Sequence, residues 1–159
     1  WLQVSSSAFM AFSHGSNDGQ KFIGAFTLAL VLGGGLPSFE IQLWVVLLCA
    51  AVMALGTSLG GWKIIRTLGG RVSRLKTHHG FAAETAAAGT ITLASALGIP
   101  LSTTHTIATA IVGTAVAGRA RSVRWSVTRE LVTAWLLTFP ICAAISWAAV
   151  KLIAFIGSI

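Results

Sequence analysis

Long apolar runs alternate with short polar segments along the whole chain. Apolar residues dominate positions 1–33, 41–60, 80–118 and 131–157, and the segments between them are polar or basic. About 20 apolar residues in a helix cover the ~30 Å of hydrocarbon in a bilayer. The pattern therefore predicts an all-α, polytopic membrane protein in which residues 61–79 and 119–130 are loops.

The first apolar run has a polar, glycine-containing centre. Residues 14–21 read His-Gly-Ser-Asn-Asp-Gly-Gln-Lys, with an apolar half on either side. A charged group at membrane depth costs a few kcal/mol or more and normally marks a functional site. Lipid cannot satisfy freed backbone groups, so a helix break there must line a polar cavity. We predict a broken transmembrane helix, interrupted between about Ser13 and Gly19, with Asn17 or Asp18 capping its second half.

The third run, residues 80–118, is interrupted as well. Residues 98–100 read Gly-Ile-Pro and are followed by Leu-Ser-Thr-Thr-His-Thr, with a helix of small residues on either side. A re-entrant or broken helical hairpin that turns near Pro100 fits this pattern, and two complete thin spans also fit it. Either Ser102 or Thr103 can cap the second helix.

Composition and charge support a membrane protein. The chain is 55% hydrophobic and 9% charged, whereas soluble domains carry about 25% charged residues. The net charge of +7 comes mainly from the two basic loops, which indicates contact with membrane lipid rather than nucleic acid. Lys and Arg favour the cytoplasmic side. We therefore expect a multi-pass protein of the plasma (inner) membrane with both basic loops in the cytoplasm.

Residue types that carry covalent chemistry do not occur in recognisable patterns. The sequence has no paired nucleophile and base, no dinucleotide-binding loop and no metal-ligand spacing. We expect a protein that is not an enzyme, has no cofactor and holds no metal cluster. Glu84 is expected to complement the positive start of its own helix and to pair with the basic loop. The chain begins with Trp1 rather than Met, which indicates a piece of a longer protein.

The two predicted helix breaks could together bind an anion. Each new helix N-terminus would present unpaired N–H groups and about half a positive charge, which favours anions. Ser102, Thr103 and Thr104 add hydroxyl donors, and Lys21 adds a full positive charge. Discontinuous helices whose N-termini meet at the membrane midplane are a recurring transporter design.

Asp18 would repel an anion bound beside it. Two negative groups in a site of low dielectric constant need a cation between them, or the carboxyl group must be protonated. Anion binding would then be coupled to Na⁺ or H⁺. The sequence leaves two structural alternatives open. Asp18 could be only a cap paired with Lys21, and the hydroxyl run could simply satisfy backbone groups.

At both breaks the sequence resembles the inorganic phosphate transporter (PiT) family. Residues 14–18, His-Gly-Ser-Asn-Asp, are similar to that family's Gly-Ala/Ser-Asn-Asp signature. Residues 100–106, Pro-Leu-Ser-Thr-Thr-His-Thr, are similar to its Ser-Thr-Thr-His segment. Residues 61–63 and 80–84 also match, so the resemblance covers nearly the whole chain.

The resemblance implies one half of an inverted-repeat transporter, because the family has two signatures and this chain has one. It implies the second, C-terminal half, with the other repeat half and inorganic phosphate as partners, and leaves a homo-oligomer open. It also implies that Asn17, Asp18, Ser102, Thr103 and Thr104 belong to the site, with Asn17 and Asp18 holding the coupling cation.

One position departs from the family signature. The usual signature continues Val-Ala-Asn after the aspartate, whereas this chain reads Gly-Gln-Lys, so Lys21 replaces an amide. A fixed ammonium could take the place of Na⁺, which favours H⁺ as the coupling cation. The alternatives to phosphate import are a sulfate permease of the same family and a non-transporting membrane scaffold subunit.

Overall fold

The described part of the chain consists mainly of helices. The computed structural model describes residues 1–66 and 76–156. Within these ranges five α-helices and one 3₁₀ turn are present, and no strand occurs. The helices are α1 (Leu2–Leu32), α2 (Leu43–Arg66), α3 (Thr77–Ala96), α4 (Thr103–Arg119) and α5 (Trp125–Ile156), and the 3₁₀ turn is Ala120–Ser122.

The predicted break in the first helix is wrong. Helix α1 runs without interruption through residues 13–19, so neither Asn17 nor Asp18 caps a second half. The polar side chains in this stretch form hydrogen bonds with side chains of neighbouring helices. Ser13 lies 2.9 Å from the hydroxyl of Thr92, and Asn17 donates to Ser95 on the same helix. Helix α1 thus keeps its backbone hydrogen bonds while these polar side chains bond to α3.

The predicted turn near Gly98–Pro100 is confirmed. Helix α3 ends in a Schellman arrangement, in which the Ile99 N–H donates to the Ala94 carbonyl at 2.9 Å and the Gly98 N–H donates to Ser95. Gly98 has a φ of 70°, in the left-handed region that only glycine adopts without strain. Of the two candidate caps for α4, Ser102 is the N-cap, and its hydroxyl accepts from the His105 N–H.

The turn between α3 and α4 lies level with the middle of α1. Contacts between α1 and α3 follow one another in the same direction along both helices, from Ser6 with Glu84 to Asn17 with Ser95. The two helices are therefore parallel. Lys21 then reaches Leu101 in the turn. Since α1 has 31 residues, the hairpin of α3 and α4 ends halfway along it.

Small side chains fill the space around the hairpin. Alanines at positions 83, 87 and 88 of α3 and at positions 108 and 115 of α4 are buried, together with Ile91 and Ile111. Such residues let helix backbones approach closely. Helix α2 packs antiparallel to α1, with the rings of Phe26 and Trp44 edge to face at 6.2 Å.

The predicted loops are shorter than expected where they can be described. Helix α2 continues beyond residue 60 to Arg66, and α4 reaches Arg119. Residues 67–75 of the first basic loop lie outside the described residues. Residues 124–159 form a compact unit separate from residues 1–123. In that unit, α5 is one helix that contains Pro140.

Two of the described helices are long and apolar enough to cross a membrane. They are the segments Leu43–Trp62 and Trp125–Ile156. Most of their side chains are exposed in this chain, and α5 has no buried residue.

Adding bulk at the buried face of α3 should destabilise the fold. Ala88 is fully buried, and overpacking of this kind typically costs about 1–3 kcal/mol. We expect Ala88→Leu to lower the melting temperature of the purified full-length protein in detergent. Ala82→Leu, at an exposed position of the same helix, is the matched control. Equal melting temperatures for the two variants would contradict this packing.

Candidate functional site

Asp18 lies where the middle of α1 meets the start of α4. One carboxylate oxygen, Oδ2, accepts a hydrogen bond from Thr103 Oγ1 at 3.0 Å and lies 3.5 Å from His14 Nδ1. The other, Oδ1, lies 3.0 Å from Lys21 Nζ. The side chain is 22% exposed, so the carboxylate contacts both the protein and open space. Asp18 thus links its own helix to the first turn of α4.

Lys21 ties α1 to the turn of the hairpin. Its ammonium donates to the Leu101 carbonyl at 2.5 Å as well as to Asp18. Asp18 also accepts a hydrogen bond from the Thr103 hydroxyl, so both contacts of Lys21 belong to one connected cluster at the start of α4. The predicted pair of Asp18 and Lys21 is therefore present. Lys21 is 40% exposed, which leaves its ammonium open to a further ligand.

Asn17 is buried beside this cluster and faces the other way. It is 3% exposed, and its Nδ2 donates to Ser95 Oγ at 2.8 Å. Its Oδ1 is buried without a hydrogen-bond partner among the described residues. Buried carbonyl oxygens are normally paired, so this oxygen is a ready acceptor for water or a ligand for a cation.

Consecutive residues of α1 line different cavities because they are about 100° apart around a helix. Asp18 and His14 line a cavity of about 540 Å³ between α1 and α2 whose other walls are mostly apolar. Asn17 and Lys21 line a smaller cavity of about 200 Å³ at the hairpin turn. A neighbouring cavity of about 220 Å³ shares Gln20 and Ser95 with it.

The sequence did not reveal the polar side chains that line these two smaller cavities. The side chains missed are those of Ser13, Ser16, Gln20, Thr92 and Ser95. A signal is present on α1, because polar residues at positions 13, 16, 17 and 20 recur at helical spacing. The glycines at positions 15 and 19 favour a break by their local preference, and they mask this periodicity.

The remaining predicted site residues lie at the start of α4. Thr103 is buried, at 3% exposure, while Ser102 and Thr104 are exposed. The N–H groups of this first turn point away from the helix body and favour an anion. The prediction of two converging helix N-termini is wrong, because the unbroken α1 supplies none. One N-terminus remains, together with Lys21 and the Thr103 hydroxyl.

The arrangement has a definite chemistry. The Thr103 hydroxyl and the Lys21 ammonium are the donors that an oxyanion would use, and the carboxylate of Asp18 accepts from both. An incoming anion would compete with Asp18 for the same two groups. A cation that neutralised Asp18 would release them.

The chain is similar to phosphate transporters along most of its length. The model of the phosphate transporter family matches residues 1–146. A probable low-affinity inorganic phosphate transporter of Rhizobium meliloti is 44% identical over 146 residues, which are 91% of this chain and 44% of that relative. One of the same description from Bacillus subtilis is 37% identical over 145 residues, again 91% and 44% of the two chains.

A plant protein is similar over an even larger share of the chain. The chloroplastic inorganic phosphate transporter 2-1 of Arabidopsis thaliana is 35% identical over 165 residues, which cover 98% of this chain and 28% of the relative. The chain thus spans less than half the length of these three relatives. No solved structure matches. Because the family model covers most of its length, the chain belongs to the phosphate transporter family.

Proposed function

We propose that this chain is one half of a secondary active transporter that imports inorganic phosphate together with a cation. Family membership and the names of the relatives support phosphate as the substrate. They favour it over the sulfate permease and the non-transporting scaffold subunit. The observation that carries the proposal is the convergence of Asp18, Lys21 and Thr103 at the hairpin turn. The missing length would be supplied by the other repeat half.

The proposed placement in the membrane follows from the helices. Helices α2 and α5 have the length and hydropathy of spans, and α1, with 31 residues, is about 46 Å long. If α1 crosses the bilayer, the turn of the hairpin lies near the midplane, which supports a re-entrant hairpin over two complete spans. The excess of Lys and Arg supports a cytoplasmic position for both basic segments.

Phosphate would bind at the start of α4. Its oxygens would accept from Thr103, from Ser102 or Thr104, and from backbone N–H groups at the start of α4. Lys21 would provide a charge-assisted contact, which is stronger than a neutral hydrogen bond. This set of donors suits a tetrahedral oxyanion. The donors lie level with the middle of α1, and such a position suits a solute that must be released on either side of the membrane.

Asp18 would couple the anion to a cation. Phosphate and an ionised carboxylate repel each other at this distance unless positive charge lies between them. The ammonium of Lys21 already occupies one carboxylate oxygen, which supports H⁺ rather than Na⁺ as the transported cation. Asn17, with its unpaired buried oxygen, is the second proposed cation contact.

Transport by the complete protein tests the proposal. Full-length protein in liposomes should take up labelled phosphate, and sulfate in excess should compete poorly. Stronger competition by sulfate than by unlabelled phosphate would favour the permease. Absence of uptake of both anions by protein that is folded and inserted would favour the scaffold.

Removing the charge of Asp18 should abolish phosphate uptake. Asp18→Asn keeps the size of the side chain and an acceptor for Thr103, but it cannot hold a cation by charge. We expect uptake to fall to near background while the amount of protein in the membrane stays normal. Glu40→Gln, at an exposed position between α1 and α2, removes a charge elsewhere and should leave uptake unchanged. Uptake near the parent level in Asp18→Asn would leave Asp18 with a structural role alone.

Replacing Lys21 should weaken phosphate binding. A charge-assisted contact contributes about 1.5–3 kcal/mol, so Lys21→Asn should raise the dissociation constant for phosphate roughly tenfold to a hundredfold. The parent protein should transport without sodium and respond to a proton gradient. Lys76→Asn, an exposed lysine at the start of α3, controls for the loss of one positive charge. Unchanged affinity in Lys21→Asn, with strict sodium dependence of the parent, would contradict the proposed roles of Lys21 and H⁺.

A further inference from the structure

Glu84 on α3 accepts hydrogen bonds from three side chains in the first turns of α1. The donors are Gln3 Nε2, which lies 2.7 Å from Glu84 Oε2, Ser6 Oγ at 2.6 Å from the same oxygen, and Ser7 Oγ at 3.0 Å from both carboxylate oxygens. The expectation that Glu84 complements the start of its own helix is wrong, since α3 begins at Thr77 and the dipole acts mainly within the first turn. Pairing with residues 67–75 lies outside the described residues.

The contacts of Glu84 lie in register with the site. Ser6 and Asn17 are eleven residues apart on α1, and so are their partners Glu84 and Ser95 on α3. Eleven residues are about three helical turns, or about 16 Å. Both pairs therefore lie on matching faces of two parallel helices. A lengthwise shift of α3 against α1 at Glu84 would therefore appear at Ser95 as well.

Apolar contacts are poorly suited to fix the register, so it depends on the polar pairs, of which Glu84 makes the most hydrogen bonds. Ala88, four residues after Glu84 on the same face of α3, is buried, and a small side chain makes a shallow ridge that resists sliding weakly. The carboxylate of Glu84 differs, because it accepts from donors on two successive turns of α1. A slip of one turn, about 5.4 Å, would break all of these hydrogen bonds.

Gly80 supports the same arrangement. A Cβ atom at this position would lie 3.0 Å from the amide atoms of Gln3, so glycine allows Gln3 to lie over the start of α3. The amide nitrogen of Gln3 donates to Glu84, while its Oε1 is buried without a partner among the described residues.

We propose that Glu84 is a positioning residue for phosphate binding. It fixes α3 lengthwise against α1, and through the rigid helix it sets the depth at which Thr103 meets Asp18 and Leu101 meets Lys21. This role rests on the proposed function, because its purpose is to place the phosphate ligands. A displacement of about 1 Å in a binding site can cost a hundredfold in rate. The hydrogen bonds of Glu84, three helical turns from the site, can therefore decide whether phosphate is bound productively.

A disulfide probe reads the register directly. The hydroxyls of Ser13 and Thr92 are 2.9 Å apart, so Ser13→Cys with Thr92→Cys should form a disulfide in a full-length protein otherwise free of cysteine. Ser13→Cys with Ala88→Cys or with Ala96→Cys reports a slip of about one turn in either direction. Glu84→Ala should lower the yield of the 13/92 disulfide and raise that of one slipped pair.

Uptake kinetics separate positioning from charge. Glu84→Ala should raise the KM for phosphate about tenfold, as expected for displaced ligands, whereas Glu84→Gln should stay near the parent. The glutamine oxygen can still accept, and its new N–H groups can donate to the unpaired Oε1 of Gln3. Glu40→Ala, which removes an exposed carboxylate, should change neither readout.

Three results would overturn the proposal. They are an unchanged disulfide yield in Glu84→Ala, an unchanged KM in that variant, and a loss of uptake in Glu84→Gln as large as in Glu84→Ala. If Glu84→Ala does not reach the membrane, the double variant Ser6→Ala with Ser7→Ala replaces it, with the same expected results. The disulfide reads the register whatever the substrate is. Failure of the proposed function would therefore appear as absent uptake in the parent, and failure of the positioning role as an unchanged disulfide in the variant.

Discussion

The fold depends on polar side chains of α1 being satisfied by the hairpin beside it. Ser6, Ser13 and Asn17 each reach a partner on α3, and Asp18 receives a hydroxyl from α4. Polar groups that are buried without partners cost free energy, so these pairs allow an unbroken helix to carry a polar stripe through an apolar protein. The same pairs fix the position of the hairpin along the axis of α1, and that position places Thr103 beside Asp18.

The sequence indicates the polar residues that meet at the hairpin turn better than it predicts the backbone that carries them. Asp18, Lys21 and Thr103 are identifiable from their residue types and their surroundings, and the turn near Gly98–Pro100 from glycine and proline, whose backbone preferences are local. The continuity of α1 depends instead on partners about eighty residues away, at Thr92 and Ser95. Local patterns do not contain that information. The partners of Glu84 escape prediction for the same reason, because its donors are about eighty residues away along the chain.

The contact between Lys21 and Asp18 also changes how the proposed anion site would be built. One helix N-terminus remains, and the compensation comes from a lysine held on an intact helix. Lys21 and Asp18 keep each other in place at 3.0 Å, while the lysine remains 40% exposed. The donors are therefore organised before any ligand arrives, which reduces the entropy that binding must overcome. An unbroken α1 also gives these donors a rigid base.

The opposite orientation of Asn17 and Asp18 makes this stretch intolerant of changes in length. Neighbouring residues of a helix differ by about 100°, and each of these two side chains faces a different cavity. Inserting or deleting one residue between Ser7 and Asn17 would keep the hydrogen bonds to Glu84 but turn Asp18 away from Thr103. Relatives that share this site should therefore align across the segment without gaps, even where the residue types differ.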